Sequence, residues 1–397
     1  MGRPAFELAG IFRQHGESYR KTRQLHRQHL RVMRAIEVCR TAALGGHVEE
    51  CGRCHHTRIA YNSCRNRHCP KCQNGERAKW LESRKAELLP VEYFHVVFTI
   101  PEELARIAFY NQQTVYGILM RTASETLLTI ARDPRHLGAE IGFFAILHTW
   151  GQNLRHHPHL HCVIPGGGIS PDHDRWIACP PGFFLPVRVL SRLFRRLFLE
   201  ALQKAFQKEE LRFVGDIEAL KETAAFASYL APLAQREWVV YAKPPFGGPR
   251  QALEYLGRYT HRVAISNERL LAVDNGEVTF QWKDYRHKHK QKSRVMTLAV
   301  DEFIRRFLMH TLPAGFQRIR HFGFLSNRHR KEKLGLCRKL LSSPVAELLP
   351  EPIPCRVLPG ILTIRPPARC PKCKTGLMLQ VGLVPPYRWP QPPPDTS

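Results

Sequence analysis

The stretch HHPHLHCVIPGGG, residues 156–168, sets four histidines within six positions and ends in three consecutive glycines. In a β-strand, positions i and i+2 face the same side. His159 and His161 therefore stand side by side, while Leu160, Cys162 and Ile164 point the other way, into a core. Two neutral imidazoles so placed can share one metal ion. Pro165 and Gly166–Gly168 end the strand, and glycine allows close approach of a backbone or a ligand. A chain with 21 histidines could also carry such a pair for packing or solvation alone, so the remaining sequence has to decide.

A second set of candidate ligands lies upstream. CGRCHHTRIAYNSCRNRHCPKC holds Cys51-x2-Cys54 and Cys69-x2-Cys72 with fourteen residues between the pairs. Two such knuckles read as one closed, tetrahedral, structural zinc site of four thiolates. Cys64, His68 and His47 are surplus donors, which leaves room for a ligand exchange or a second ion. Arg53, Arg58, Arg65, Arg67 and Lys71 surround the block and serve either solubility or phosphate contact. Near the C-terminus Cys370-x2-Cys373 is a lone knuckle, with Cys337 and Cys355 as irregularly placed candidates to complete it, and no metal is assigned there.

The third constellation is YLGRYTHR, in which Tyr255 and Tyr259 share one helix face, one turn apart, beside Arg258 and Arg262. Alone, such a pair is a packing feature. Beside a two-histidine metal motif it becomes a candidate for nucleophilic catalysis, because a tyrosine hydroxyl can attack a phosphodiester. Arg258 or Arg262 would hold the phosphate, and a divalent ion on the histidines would polarise it.

Composition favours that partner. Sixty Lys and Arg face 34 acidic residues, a formal net charge of +26, which points to a polyanion. At 43% hydrophobic residues the chain is globular. No apolar run spans a membrane, and the N-terminus lacks a signal-peptide core, so a cytoplasmic, nucleoid-associated location is expected. In that compartment twelve cysteines are metal ligands or free thiols.

The elements that must position these groups follow from periodicity. Residues 18–44 read as a helix stopped by Gly45 and Gly46, and 75–90 as a helix ended by Pro90. Strands are expected at 91–100, 142–150 and 156–165, the last two as a hairpin, and at 237–243. Helices are expected from Pro101 to about 131, over 190–211 and over 249–262. Residues 269–282 read as a hairpin turning at Asn275-Gly276. Strand hairpins among helices mean α+β with an antiparallel sheet. From 344 onward prolines are dense, and PPYRWPQPPPDTS, 385–397, is expected to be a flexible tail. The basic stretches 283–294 and 318–333 mix cations with aromatics such as Phe322 and Phe324, which could stack on unpaired bases.

The order of a Cys-rich block, HPHLHCVIPGGG and YLGRYTHRVAIS resembles the two-tyrosine HUH class of rolling-circle insertion-sequence transposases. HUH denotes histidine, bulky hydrophobic, histidine, here His159, Leu160 and His161. YNSCRNRHCPKCQ, 61–73, is similar to that family's N-terminal zinc-binding domain, and the resemblance covers roughly residues 15–330. It implies a ferredoxin-like palm with the HUH strand at its centre. It also implies a transposase that cleaves and rejoins single-stranded DNA through a 5′-phosphotyrosine, leaving a free 3′-OH, with catalytic Mg2+ or Mn2+ beside structural Zn2+. The expected organisation is a helical, zinc-binding, DNA-binding domain at 1–89, an HUH catalytic domain at 90–310, and a basic, Pro-rich C-terminal region at 311–397. His148, on the strand expected to pair with the HUH strand, is the first choice for a third metal ligand, with Gln152 second. His156 and His157 are expected to meet solvent or phosphate. A plasmid-type replication initiator or relaxase would use the same chemistry. A non-catalytic zinc-finger DNA-binding regulator would leave the His and Tyr pairs unexplained. A zinc hydrolase lacks a nearby acidic base, since Asp172 and Asp174 read as loop residues.

Overall fold

In the computed structural model the described residues are 4–243, 251, 257, 263–283, 293–341 and 368–387. At their centre is a five-stranded antiparallel sheet in the order β12-β4-β5-β3-β8. Its strands are β3 (Tyr93–Thr99), β4 (Gly142–Trp150), β5 (His156–Pro165), β8 (Val240–Lys243) and β12 (Ile319–Gly323). The HUH strand is β5, the middle strand, and it forms the expected hairpin with β4. The fold is α+β.

One face of the sheet is a hydrophobic core. Leu160, Cys162 and Ile164 have no exposure and cluster with Val96, Phe98, Ala145 and Leu147. Helices α4 (Leu104–Tyr110), α5 (Gln112–Arg132) and α6 (Val187–Gln207) supply the other side of that core. Long amphipathic helices such as α6 bury one stripe, here Leu190, Phe194, Phe198 and Leu202. A further helix, α7 (Thr223–Gln235), joins the same cluster through Phe226, Leu230 and Leu233. The glycine run serves backbone packing. A Cβ at Gly167 would meet the Ile177 carbonyl at 2.5 Å, and one at Gly168 the Glu140 carbonyl at 2.5 Å. These contacts accompany the small ribbon of β6 (Gly167–Ile169) and β7 (Trp176–Ala178).

Outside the palm, the single helix expected at 18–44 is two helices, α1 (Leu8–Thr22) and α2 (Arg27–Glu37). The break lies at 23–26, where His26 caps α2 by accepting the Gln28 N–H. The next helix, α3, runs over Pro70–Lys85, opened by proline at its first position and ending before Pro90. Strands β9 (Leu270–Asp274), β10 (Glu277–Lys283) and β11 (Ser293–Ala299) form a second sheet. Its expected turn is present, with Asn275 and Gly276 at φ of 50° and 74°. Helix α8 (Val300–Leu308) packs Phe303, Ile304 and Phe307 into a core shared with α1, α2, Trp150, Leu154, Ala264 and Ile265.

The described parts of the C-terminal region pack into the fold, and most of the expected tail, 388–397, lies outside the described residues. Strand β12 belongs to the palm, and helix α9 (Arg330–Leu340) buries Leu334 and Cys337 against Leu89 and Phe324. Residues 368–387 return to the N-terminal module, where β13 (Met378–Val384) pairs antiparallel with β1 (Gly46–Cys51), itself paired with β2 (Thr57–Tyr61). The proline count of the region hid this strand, because alternating Met378, Gln380 and Gly382 against Leu379, Val381 and Leu383 is a short signal in a polar setting.

Candidate functional site

The other face of the central sheet carries the histidines, beside a small buried cluster of Tyr93, Phe144, Ile146 and Val163. Cross-strand register sets His148 of β4 directly opposite His159 of β5, and His161 lies two residues on, on the same face. The ligand-capable atoms of His148, His159 and His161 lie within 4.8 Å of one another. His148 and His161 are buried, whereas His159 is half-buried, so the trio opens on the His159 side. Trp150 stacks on His148 with ring centroids 4.8 Å apart, which fixes that ring from behind. Gln152, the second choice, lies in the β4–β5 turn, where its backbone carbonyl accepts a hydrogen bond from Arg269.

Outer partners orient the rings. His159 Nδ1 lies 2.7 Å from the His157 carbonyl, so Nδ1 carries the proton and Nε2 the lone pair. His161 Nδ1 lies 2.8 Å from His95 Nε2, and the two rings are parallel to within 6°. His95, on β3, was missed in the sequence because its strand reads as uniformly apolar, VEYFHVVFTI. Burial, with Lys243 and His159 close by, pushes His95 down to about 3, so it is neutral. A neutral imidazole there can orient His161 as outer carboxylates or carbonyls orient metal-bound histidines elsewhere. His156 is a structural residue. It hydrogen-bonds the Tyr116 hydroxyl at 2.8 Å and the Ala105 carbonyl at 3.1 Å, and burial pushes it down to about 4, which corrects the expectation of solvent or phosphate contact.

Tyr255, Arg258, Tyr259 and Arg262 lie outside the described residues. What is described is where the chain leaves and returns. It leaves at Lys243, the cross-strand partner of His95 on β3, and returns at Val263, with Ala264 and Ile265 in the cluster that holds Trp150. Both flanks therefore border the histidine face.

Among the described residues eight cysteines form two sets, not one. Cys39, Cys64, Cys69 and Cys72 converge, and Cys51 and Cys54 converge with Cys370 and Cys373. The expected pairing of Cys51/Cys54 with Cys69/Cys72 is thus corrected. The first knuckle sits at the β1–β2 turn, while Cys69 and Cys72 open α3 beside the end of α2, where Cys39 lies. In the first set Sγ–Sγ distances are 3.6 Å for Cys39–Cys72, 3.5 Å for Cys64–Cys72 and 3.6 Å for Cys39–Cys69. Zn–S bonds of about 2.3 Å in a tetrahedron require sulfur separations of about 3.8 Å, so the set fits a zinc ion. His68 belongs to neither set, and its Nε2 accepts the Leu312 N–H. His47 pairs with Glu49 at 2.9 Å, and Cys337 lies in the α9 core far from any cysteine set. Cys355 lies outside the described residues.

The basic residues around these sites divide as well. Arg58 pairs with Glu49, Lys71 with Glu7, and Arg67 donates to the carbonyls of Phe316 and Pro313, so these three serve the fold. Arg53 and Arg65 are exposed. Phe324 is buried and Phe322 stacks on Phe143 at 5.1 Å, so neither is available to unpaired bases; the pleat of β12 turns Phe322 toward the core. Most of the basic stretch 283–294 lies outside the described residues. Among the described residues no helix is long and apolar enough to cross a membrane.

Comparison with known proteins bears on this arrangement. Residues 142–333 match the family described as "Putative transposase", and residues 11–100 match "Transposase zinc-binding domain". "Putative transposase y4qJ" of Sinorhizobium fredii (strain NBRC 101917 / NGR234) is 60% identical over 405 residues, covering 100% of both chains. "Transposase for insertion sequence element IS801" of Pseudomonas savastanoi pv. phaseolicola is 27% identical over 297 residues, 73% of this chain and 68% of its own. No solved structure is significantly similar. The histidine trio falls inside the first match and Cys39–Cys72 inside the second, so the chain belongs to the rolling-circle insertion-sequence transposases that carry an N-terminal zinc-binding domain.

Proposed function

We propose that this transposase cuts and rejoins single-stranded DNA through a 5′-phosphotyrosine, with Tyr255 and Tyr259 as nucleophiles. The observation that supports it is the convergence of His148, His159 and His161 on the sheet face bordered by both flanks of the tyrosine segment. Those three histidines would hold a divalent ion, which when bound supplies Lewis-acid polarisation of the scissile phosphate. Three imidazoles suit Mn2+ better than the harder Mg2+, and the half-buried His159 side leaves room for an oxygen of the substrate.

The chain's own groups do the rest. The tyrosine oxygen forms a bond to phosphorus, the bond from phosphorus to the 3′ oxygen breaks, and the phenol proton passes to that oxygen. Arg258 and Arg262 would neutralise the phosphate, and Lys243 adds positive charge at the sheet edge. One tyrosine keeps the cut 5′ end while the other attacks a second strand, or the released 3′-OH reverses the first linkage. Cys39, Cys64, Cys69 and Cys72 would hold the structural zinc of the N-terminal module.

The test uses single-stranded element ends labelled at the 3′ terminus, incubated with Mn2+ and run on denaturing gels. Wild type is expected to give a labelled protein adduct, and Tyr255→Phe with Tyr259→Phe to give none. An adduct that persists in the double variant removes these residues as nucleophiles.

A further inference from the structure

The second cysteine set is only half inside the zinc-binding match, since Cys370 and Cys373 are far beyond residues 11–100. Its sulfurs pair across 316 and 322 residues of sequence, with Cys54–Cys370 at 3.6 Å and Cys51–Cys373 at 3.7 Å. Those separations match the edges of a tetrahedron of sulfur around zinc, about 3.8 Å, and are far longer than the roughly 2 Å of a disulfide.

The two knuckles are built alike. His55 N–H donates to the Cys51 carbonyl at 3.0 Å, and Lys374 N–H to the Cys370 carbonyl at 2.9 Å. Both donors follow the second cysteine, and both take a left-handed backbone, at φ 52° and 60°. That conformation is costly for a residue with a Cβ. Here it curls each turn so that two sulfurs point to one spot. Backbone N–H groups face the sulfurs as well, Arg53 to Cys51 at 3.4 Å and Gly376 to Cys373 at 3.3 Å, which suits thiolates. The knuckles also touch: a Cβ at Gly376 would come within 2.5 Å of Cys51 Sγ.

The sheet they end has almost no core of its own. Its buried cluster is Cys51, Cys370 and Met378, while Ile59, Leu379, Val381 and Leu383 are exposed. Three strands without a hydrophobic face are not stable alone. We propose that a second zinc ion, bound by Cys51, Cys54, Cys370 and Cys373, clasps residues 368–387 onto the N-terminal module. Four sulfurs and no imidazole suit zinc over the harder, oxygen-seeking divalent ions, and binding releases the thiol protons to solvent. The clasp completes the β13-β1-β2 sheet only after the C-terminus has been made, so a chain ending before residue 368 carries one zinc and a two-stranded ribbon. The inference does not depend on the phosphotyrosine reading.

Zinc content of the purified full chain tests it. Two zinc ions per chain are expected, and one in Cys370→Ser with Cys373→Ser. A protease site engineered within residues 342–367 gives a second readout. After cleavage, the fragment carrying β13 should co-elute with the rest of the protein and be released by a strong chelator. One zinc in the wild type, two in the double variant, or a fragment that separates while both ions stay bound overturns the clasp. If the double variant does not fold, the wild-type stoichiometry and the cleaved chain decide.

Discussion

The histidine trio and the cysteine sets are both clusters of metal donors, but they are built on opposite plans. The trio occupies two neighbouring strands, has three donors and opens on one side. Each cysteine set has four donors and closes on itself. Three donors leave a position for substrate, and four leave none, so the first plan suits chemistry and the second suits structure. The cysteine sets differ in turn. Cys39, Cys69 and Cys72 sit in the core that joins α1, α2 and α8, while Cys51 and Cys370 hold a ribbon with little else beneath it.

The largest effect should come from breaking the embedded set. Cys64→Ser is expected to remove one zinc and to unfold the N-terminal module, because structural zinc contributes on the order of 10 kcal/mol in small metal-dependent folds. Loss of near-ultraviolet circular dichroism and of one zinc equivalent would show it. A variant that keeps its fold without zinc would erase the contrast with the histidine face.

A smaller effect sharpens the role of the outer histidine. His95→Leu removes the partner 2.8 Å from His161 Nδ1 while leaving all three donors in place. Metal affinity should fall about 10- to 100-fold, and strand cleavage should recover at raised Mn2+. Titration of cleavage against Mn2+ reads this directly; no recovery at saturating metal would mean that His95 acts on more than metal binding.

A third effect, spread over pH rather than read at one condition, separates buried structural histidines from the trio. His310 lies between Thr149 Oγ1 at 3.2 Å and the Leu154 carbonyl at 3.1 Å, and burial pushes it down to about 3. Between its ordinary value of 6.5 and about 3 the unfolded chain binds a proton that the folded chain does not. Stability contributed this way is present above 6.5 and is lost as pH falls, by up to about 1.4 kcal/mol per pH unit. Denaturant unfolding of His310→Gln from pH 7 to 4 should show a shallower loss than wild type. An unchanged slope would place the acid sensitivity elsewhere.

How much of this was legible in the sequence depends on distance along the chain. Alternation alone placed Leu160, Cys162 and Ile164 in the core and His159 and His161 on the other face, because pleating is a local rule. The β4–β5 hairpin was legible for the same reason, and with it the place of His148. His95 was not, since its partner is sixty-six residues away and nothing in its own strand marks it. The cysteine sets fail the local rule altogether. Cys51-x2-Cys54 and Cys69-x2-Cys72 have the spacing of one site, yet their turns face different neighbours, and the partners that complete them are Cys39, Cys64, Cys370 and Cys373. Phe322 and Phe324 looked like stacking groups only because the basic residues around them concealed a palm strand and its core contacts.

The central claim is that the histidine trio holds the ion that activates the DNA phosphate. Its most direct test is Mn2+ binding, followed by electron paramagnetic resonance on zinc-loaded protein, in parallel with adduct formation on single-stranded element ends. Wild type should bind one Mn2+ beyond its zinc. His148→Ala, His159→Ala and His161→Ala should each lose that ion together with cleavage, while DNA affinity, which rests on many phosphate contacts, changes little. Unaltered Mn2+ binding, or full adduct formation, in His159→Ala or His161→Ala would contradict it.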